Sequence, residues 1–385
     1  YELNQIIFST ANPKPGYISK GRNGPNLFSN SVVSLDLETG EYKWHFQEIE
    51  NDLHNLDLAS PPVLFSMNNY KLIAQATKSG QLMIINRENG KAYFKYTEEK
   101  FTGKSLNNNT YTTYKKFPEW LQFSRRYFTK DDINNLNSEF VNEARQKISE
   151  SIISNYFPLV QNKEHIFYGV HGGAQWPGIA LTDDYMAIIP SNNIAWTGRL
   201  TNSKDYNIRI YLSEVFDKIK IFFNNSSKKN LNKIFKSISN YKKIYKIDLY
   251  KWQRFETKNN IPLNRPPWGT ITCIDLKNQK IKWQIAHGSY PDLVTENDTG
   301  SEVFGSPVVT KGGIIFMAGT DDKKIRAYSI ENGKKIWEDD LPYSSYGIMQ
   351  ILEYNEKQLL IINSSGGRNF NSEKGDAVVA YRLNN

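Results

Sequence analysis

Six consecutive residues, Asp52-Leu53-His54-Asn55-Leu56-Asp57, bring together two carboxylates, an imidazole and an amide. In an extended stretch, residues two apart share a face, so Asp57 points where Asn55 points and His54 points the other way. A carboxylate accepts a proton or ligates a hard cation. The Asn55 amide can lend its oxygen to a cation but accepts no proton at neutral pH. Other chemistry-bearing positions are scattered: Asn12 before Pro13 in STANPKP, Lys78 in TKSGQ, Gln175 and Trp176 in HGGAQWPG, and Phe304 in EVFGSPVV. Asn12 reads equally as a turn residue. His171 has no second histidine at metal-ligand spacing. The single cysteine, Cys273, excludes an internal disulfide and a cysteine-clustered zinc site.

These residues need a scaffold, and 385 residues with 39% hydrophobic content supply ample core. No apolar run approaches the ~18 residues that a membrane helix needs. The chain begins at Tyr1, so either a leader has been removed or the numbering starts inside a longer protein. The net charge of +8 invites a nucleic-acid reading, but between Lys204 and Arg254 there are 13 Lys and Arg against four Asp and Glu. That segment holds the whole imbalance and reads as a solvated surface insertion, so no nucleic-acid partner is expected.

A repeat organises the rest. SVVSLDLETGEYKWHFQ, LMIINRENGKAYFKY, ITCIDLKNQKIKWQI and IRAYSIENGKKIWED share one layout: apolar strand, polar residue, tight turn, and an aromatic eight residues after the polar one. The polar positions are Asp36, Asn86, Asp275 and Ser329; the turns carry Gly40, Gly90, Gln279 and Gly333; the aromatics are Trp44, Phe94, Trp283 and Trp337. Each unit is two antiparallel strands joined by a turn that needs positive φ. Spacings of 50 residues from Trp44 to Phe94 and 54 from Trp283 to Trp337 suit a four-stranded propeller blade. Two insertions interrupt the series. Over 100–160, Ile133, Leu136, Phe140, Ala144, Ile148 and Ile152 have helical spacing across 129–156, with Thr129 and Asp132 as a capping box. Over 203–257, Leu231, Ile234, Phe235, Ile238 and Tyr241 fall in similar register between lysines, which predicts a basic helical insertion.

Three stretches, 9–64, 169–181 and 266–342, together with the tail SSGGRNFNSEKGDAVVAYRL, resemble the pyrroloquinoline quinone (PQQ)-dependent alcohol and glucose dehydrogenases. The resemblance implies an all-β fold: the C-terminal half of an eight-bladed propeller, here about four blades in a partial ring with two helical insertions. It implies PQQ with Ca²⁺ or a lanthanide, oxidation of an alcohol or aldose sugar, and electrons passed to a quinone or cytochrome. It also implies a periplasmic site, attached to the inner membrane through a missing N-terminal region, and a partner in the missing N-terminal half. Asn12, Asn55 and Asp57 match metal positions, Lys78 the quinone-contacting cation, and Gln175, Trp176 and Phe304 the cofactor cavity. The family's base is the second Asp of Asp-x-Trp-Asp-x-Asp. This chain has Asn55 there, leaving Asp57 as the nearest carboxylate to take the catalytic proton. The alternative is a non-catalytic propeller scaffold.

Overall fold

A computed structural model of the chain describes residues 2–14, 16–18, 22, 24–104, 110–156, 158–160, 162–201, 249–293, 295, 298–355, 357–367 and 373–382. Five antiparallel sheets follow one another along the chain. The first pairs Gln5–Ser9, Ser31–Asp36 and Tyr42–Gln47, and the second Val63–Met67, Tyr70–Ala76 and Leu82–Asn86. The third holds Ala180–Leu181, Met186–Asn192, Gly269–Asp275 and Lys280–Ala286. The fourth holds Val308–Val309, Ile314–Met317, Lys324–Ser329 and Lys335–Asp340. The fifth holds Gln350–Tyr354, Lys357–Gly366 and Lys374–Arg382.

The apolar cores lie between successive sheets, which is what makes them blades. Val32 and Trp44 of the first meet Ile73, Met83 and Ile85 of the second. Leu72, Leu82 and Ile84 meet Ala187, Ile189 and Ile274 of the third. Ile188, Ile271 and Cys273 meet Ile315, Met317 and Tyr328 of the fourth. Ala318 and Ile325 meet Leu360 and Ile362 of the fifth. The all-β propeller architecture expected from the repeat is therefore present, with a fifth blade that lacks the turn-and-aromatic signature and so escaped the repeat count.

Local chemistry explains the repeat. The polar residue caps its turn: Asp36 Oδ1 accepts from Glu38 and Thr39 N–H, Asn86 Oδ1 from Glu88, Asp275 Oδ1 from Asn278, and Ser329 Oγ from Glu331. Gly40, Gly90 and Gly333 have φ of 72°, 71° and 73°, and Gln279 adopts 51°. In three of the four units a β-bulge falls at the same place, between Ser34 and Leu35, Cys273 and Ile274, and Ala327 and Tyr328. The tryptophan then reaches across to the next blade. Trp44 lies over Gly90 and donates to Arg87 O at 2.8 Å; Trp283 lies over Gly333 and donates to Ile330 O at 2.9 Å.

The insertions differ from expectation. The first begins as a hairpin, Tyr96–Lys104 with Thr110–Pro118, whose second strand also pairs with Ile49–Glu50. Its helix spans only Ser138–Ser149 and is capped by Asn137, which accepts from Phe140 N–H. The stretch before it is held by tertiary contacts instead: Asp132 accepts from Thr129 N–H and from Arg265, Asn134 donates to Pro262 O, and Ile133 bridges Asn264. Thr129 and Asp132 therefore close a turn, not a helix. Ile152 lies in the strand Ser151–Ile153, beside Glu164–Tyr168, Ala195–Thr201 and Leu249–Arg254. The second insertion is strand, not helix, over Leu249–Arg254, because those residues pair in register with Ala195–Thr201. Its Leu231, Ile234, Phe235, Ile238 and Tyr241 lie outside the described residues.

Candidate functional site

Asp52 builds the loop that carries Asn55 and Asp57. Its buried carboxylate accepts from His54 N–H and Leu56 N–H, each at 2.7 Å, and from the Asn30 amide at 3.2 Å. The loop turns through Asn55 at φ 56°, a conformation asparagine tolerates better than most residues. His54 leaves on the other side, edge-on to Phe167 and Tyr156. Asp57 faces Lys78. Nζ of Lys78 is 2.5 Å from Asp57 Oδ1 and 3.3 Å from the Asn55 carbonyl oxygen, and the lysine side chain is only 2% exposed.

Lys78 follows the second blade's central strand, and the 169–178 loop is pressed against it. Ala174 N–H donates to Thr77 O at 3.0 Å, and a Cβ on Gly173 would lie 2.3 Å from Lys78 O. Only glycine permits that approach, so Gly173, at φ 58°, positions the residues after it in HGGAQW. Gln175 donates to Gly172 O at 2.7 Å, while among the described residues its buried Oε1 has no hydrogen-bond partner. Trp176 puts its ring 5.3 Å from Lys78 Nζ and stacks with Phe304 at 6.2 Å and 28°. The Phe304 loop is fixed by Asn192, which accepts from Val303 N–H and donates to Val303 O.

Five of the expected residues, Asn55, Asp57, Lys78, Trp176 and Phe304, thus form one chain of contacts, with Gln175 beside Trp176 in the same loop. Asn12 is buried nearby. Among the described residues no hydrogen bond joins it to Asn55, Asp57 or Lys78; its amide donates to Pro13 O at 3.5 Å, and Leu58 N–H reaches Thr10 O two residues away. His171, edge-on to Trp176, Phe304, Trp196 and Trp252, approaches Glu302 at 3.3 Å. Glu302 also pairs with Arg254, and all three are largely buried.

Two parts of this neighbourhood were not found by sequence reasoning. Glu302 stands two residues before Phe304, a carboxylate between small polar residues and the apolar Val303-Phe304 pair, and that charge beside an aromatic was the available signal. The other is Glu48, which shares the strand face of Trp44 and Phe46 and hydrogen-bonds Ser79, next to Lys78. Lys115, from the inserted hairpin, approaches it with its ammonium 3.1 Å from the Tyr156 ring centre. Burial pushes Glu48 up and Lys115 down, each opposed by the other's charge.

An ammonium above an indole face and a second aromatic stacked on that indole fit a planar, anionic, oxygen-rich ligand. A family profile described as the β-propeller domain of PQQ glucose/ethanol/alcohol dehydrogenases matches residues 1–360. The chain belongs to this PQQ family. Quinate/shikimate dehydrogenase (quinone) of Acinetobacter baylyi is 26% identical over 92% of the chain and 44% of that relative. Quinoprotein glucose dehydrogenase of Escherichia coli is 23% identical over 92% of the chain and 44% of its own length. The chain spans less than half the length of these two relatives. Among solved structures of the family, a europium-containing methanol dehydrogenase superposes with a TM-score of 0.59 at 15% identity, covering 95% of this chain and 50% of that one. Quinohemoprotein alcohol dehydrogenase from Comamonas testosteroni gives 0.56 at 17%, covering 98% and 46%. At such identities the superpositions establish the fold.

Proposed function

We propose that this chain forms the cofactor-facing part of a PQQ-dependent dehydrogenase that oxidises an alcohol, a cyclic polyol or an aldose sugar in the periplasm and passes electrons to a quinone or cytochrome. The observation that carries this reading is the Lys78–Asp57 pair beneath Trp176, inside a fold that matches the family along its length. When bound, PQQ would supply the two-electron acceptor. The residues present fit it: Lys78 offers a buried ammonium to its oxygens, Trp176 and Phe304 offer ring faces, and Gln175 Oε1 offers an acceptor to a ring N–H. Asp57 takes the proton of the substrate hydroxyl through the carboxylate oxygen that Lys78 does not hold, and Lys78 orients that carboxylate. The residues do not fit a hard cation equally well, because Asp57 already holds Lys78.

The proposed partner is the other half of the ring. Trp44 and Trp283 each cover a turn glycine of the following blade, whereas nothing lies within 4 Å of a Cβ position on Gly40. Ile6, Phe8, Leu37 and Tyr42 of the same blade are exposed. That face suits a preceding blade with its own aromatic.

A second reading, a cofactor-free scaffold, is favoured by Asn55, which meets Lys78 through its backbone and brings no carboxylate. PQQ titration followed by tryptophan fluorescence, then dye reduction with alcohols, quinate and aldoses, separates the two. Saturable quenching with turnover supports the dehydrogenase. Quenching without turnover, with activity restored by Asn55→Asp, identifies a site that lost its base. Absence of binding by the chain joined to its missing half supports the scaffold.

A further inference from the structure

The groups that meet Lys78 already balance its charge. Of Asn55 and Asp57, Asp57 brings the carboxylate and Asn55 only a neutral backbone carbonyl and amide. The Lys78 ammonium sits at 2.5 Å from that carboxylate, and the two side chains are 2% and 16% exposed, so water screens them little. A calcium-like ion takes oxygen ligands at about 2.3–2.6 Å and draws its affinity from the number of charged ones. Here its one anionic ligand is already in contact with a cation. Asp52, the nearest carboxylate along the chain, is committed to two backbone N–H groups and the Asn30 amide. Among the described residues no three or more His, Cys, Asp or Glu are grouped as a metal site.

We propose that Lys78 stands where a divalent or lanthanide cation would otherwise sit, so that Lys78 and such a cation compete for Asp57. The inference rests on placing Asp57 and Lys78 at the cofactor-binding side of the fold. A hard cation entering beside Lys78 would set like charges together in a poorly hydrated position, and one displacing it would strand a buried ammonium. With an amide at position 55, no second carboxylate in that loop tips the balance back. An anionic ligand over Trp176 is then met by the lysine directly, with no requirement for a metal.

Terbium luminescence tests this, because Trp176 lies 5.3 Å from Lys78 Nζ and serves as the antenna. The full chain should show no saturable sensitised emission beyond that of Asp57→Asn. Lys78→Met should gain emission that Asp57→Asn removes, with affinity raised on the order of 10- to 100-fold, the worth of one charge-assisted contact. Lys78→Gln, checked by circular dichroism, repeats the measurement should the Met variant misfold. Saturable, Asp57-dependent terbium binding by the unaltered chain as tight as in the Lys78 variants would overturn the proposal. So would PQQ binding that is lost in chelator and restored by calcium. A chain that binds no PQQ with or without calcium refutes the cofactor reading instead, and the terbium titrations still decide the competition.

Discussion

Gly90→Ala and Gly40→Ala make a matched pair that isolates the contribution of tryptophan docking. Both glycines sit in the same turn with φ of 71° and 72°, so alanine at either meets the same left-handed strain, about 1–2 kcal/mol. The surroundings differ. A Cβ on Gly90 would lie 2.7 Å from Trp44 Cε3 and 2.9 Å from Cδ2, both ring atoms of a buried side chain; on Gly40 it would meet nothing within 4 Å. The indole must shift, which overpacks the interface between the first two blades at about 1–3 kcal/mol. It also loosens the 2.8 Å bond from Trp44 Nε1 to Arg87 O, a further loss of about 1 kcal/mol. Gly90→Ala should therefore destabilise by about 2–4 kcal/mol more than Gly40→Ala. Urea unfolding with tryptophan emission and far-ultraviolet dichroism as independent probes gives both values. In a Trp44→Ala background the cost of Gly90→Ala should fall to that of Gly40→Ala. Equal costs in the unaltered chain, or an undiminished Gly90 cost without Trp44, would refute the docking argument.

Acid should weaken the fold through two histidines. Burial pushes His165 down to about 4 and lowers His287, which lies among Arg326, Asp322 and Glu338; Val160 N–H donates to His165 Nε2, fixing the neutral ring. Unfolding returns each to the ordinary value, so the unfolded chain binds more protons, and stability present above about pH 6.5 is lost as pH falls toward 4, by about 3 kcal/mol for His165. Urea midpoints between pH 7.5 and 5 check this, and His165→Gln should flatten the profile. Glu302→Gln removes the closer of two carboxylates on the buried Arg254, leaving Glu256 at 3.8 Å, and should destabilise by about 1–3 kcal/mol, with much of that recovered when Arg254→Met is added. Trp283→Phe keeps a ring over Gly333 but removes the donor to Ile330 O, and should lower stability by about 1 kcal/mol in the same assay.

The blades were legible because the repeat is written in residues that act locally. A turn cap at Asp36 or Asn86, a positive-φ glycine and an aromatic eight residues later each work within one hairpin, so their spacing survives in the chain. The fifth blade was missed because the sequence joining Lys357–Gly366 to Lys374–Arg382 lacks that spacing of polar residue, glycine and aromatic. The helix was overextended for a related reason: Phe140, Ala144 and Ile148 do share its buried face, but long-range partners from Pro262 to Arg265 hold 129–136 out of it. At the site, motif context singled out Asp57, Lys78, Trp176 and Phe304, which the structure brings into one chain of contacts. The pairing of Lys78 with Asp57 and the approach of Lys115 toward Glu48 depend on strands far apart in sequence, and no local pattern announces such meetings.

Thr201 and Leu249 are directly opposite each other at the end of a hairpin. The two ends of the intervening sequence are therefore adjacent, and the pairing of the two strands does not depend on how many residues lie between them. Trimming it to a short linker, or grafting a reporter protein there, would leave the scaffold's spacing intact, and the entropy of closing so short a span grows only slowly with the number of residues in it. The position is a natural mount for foreign sequence on an otherwise tightly knit assembly.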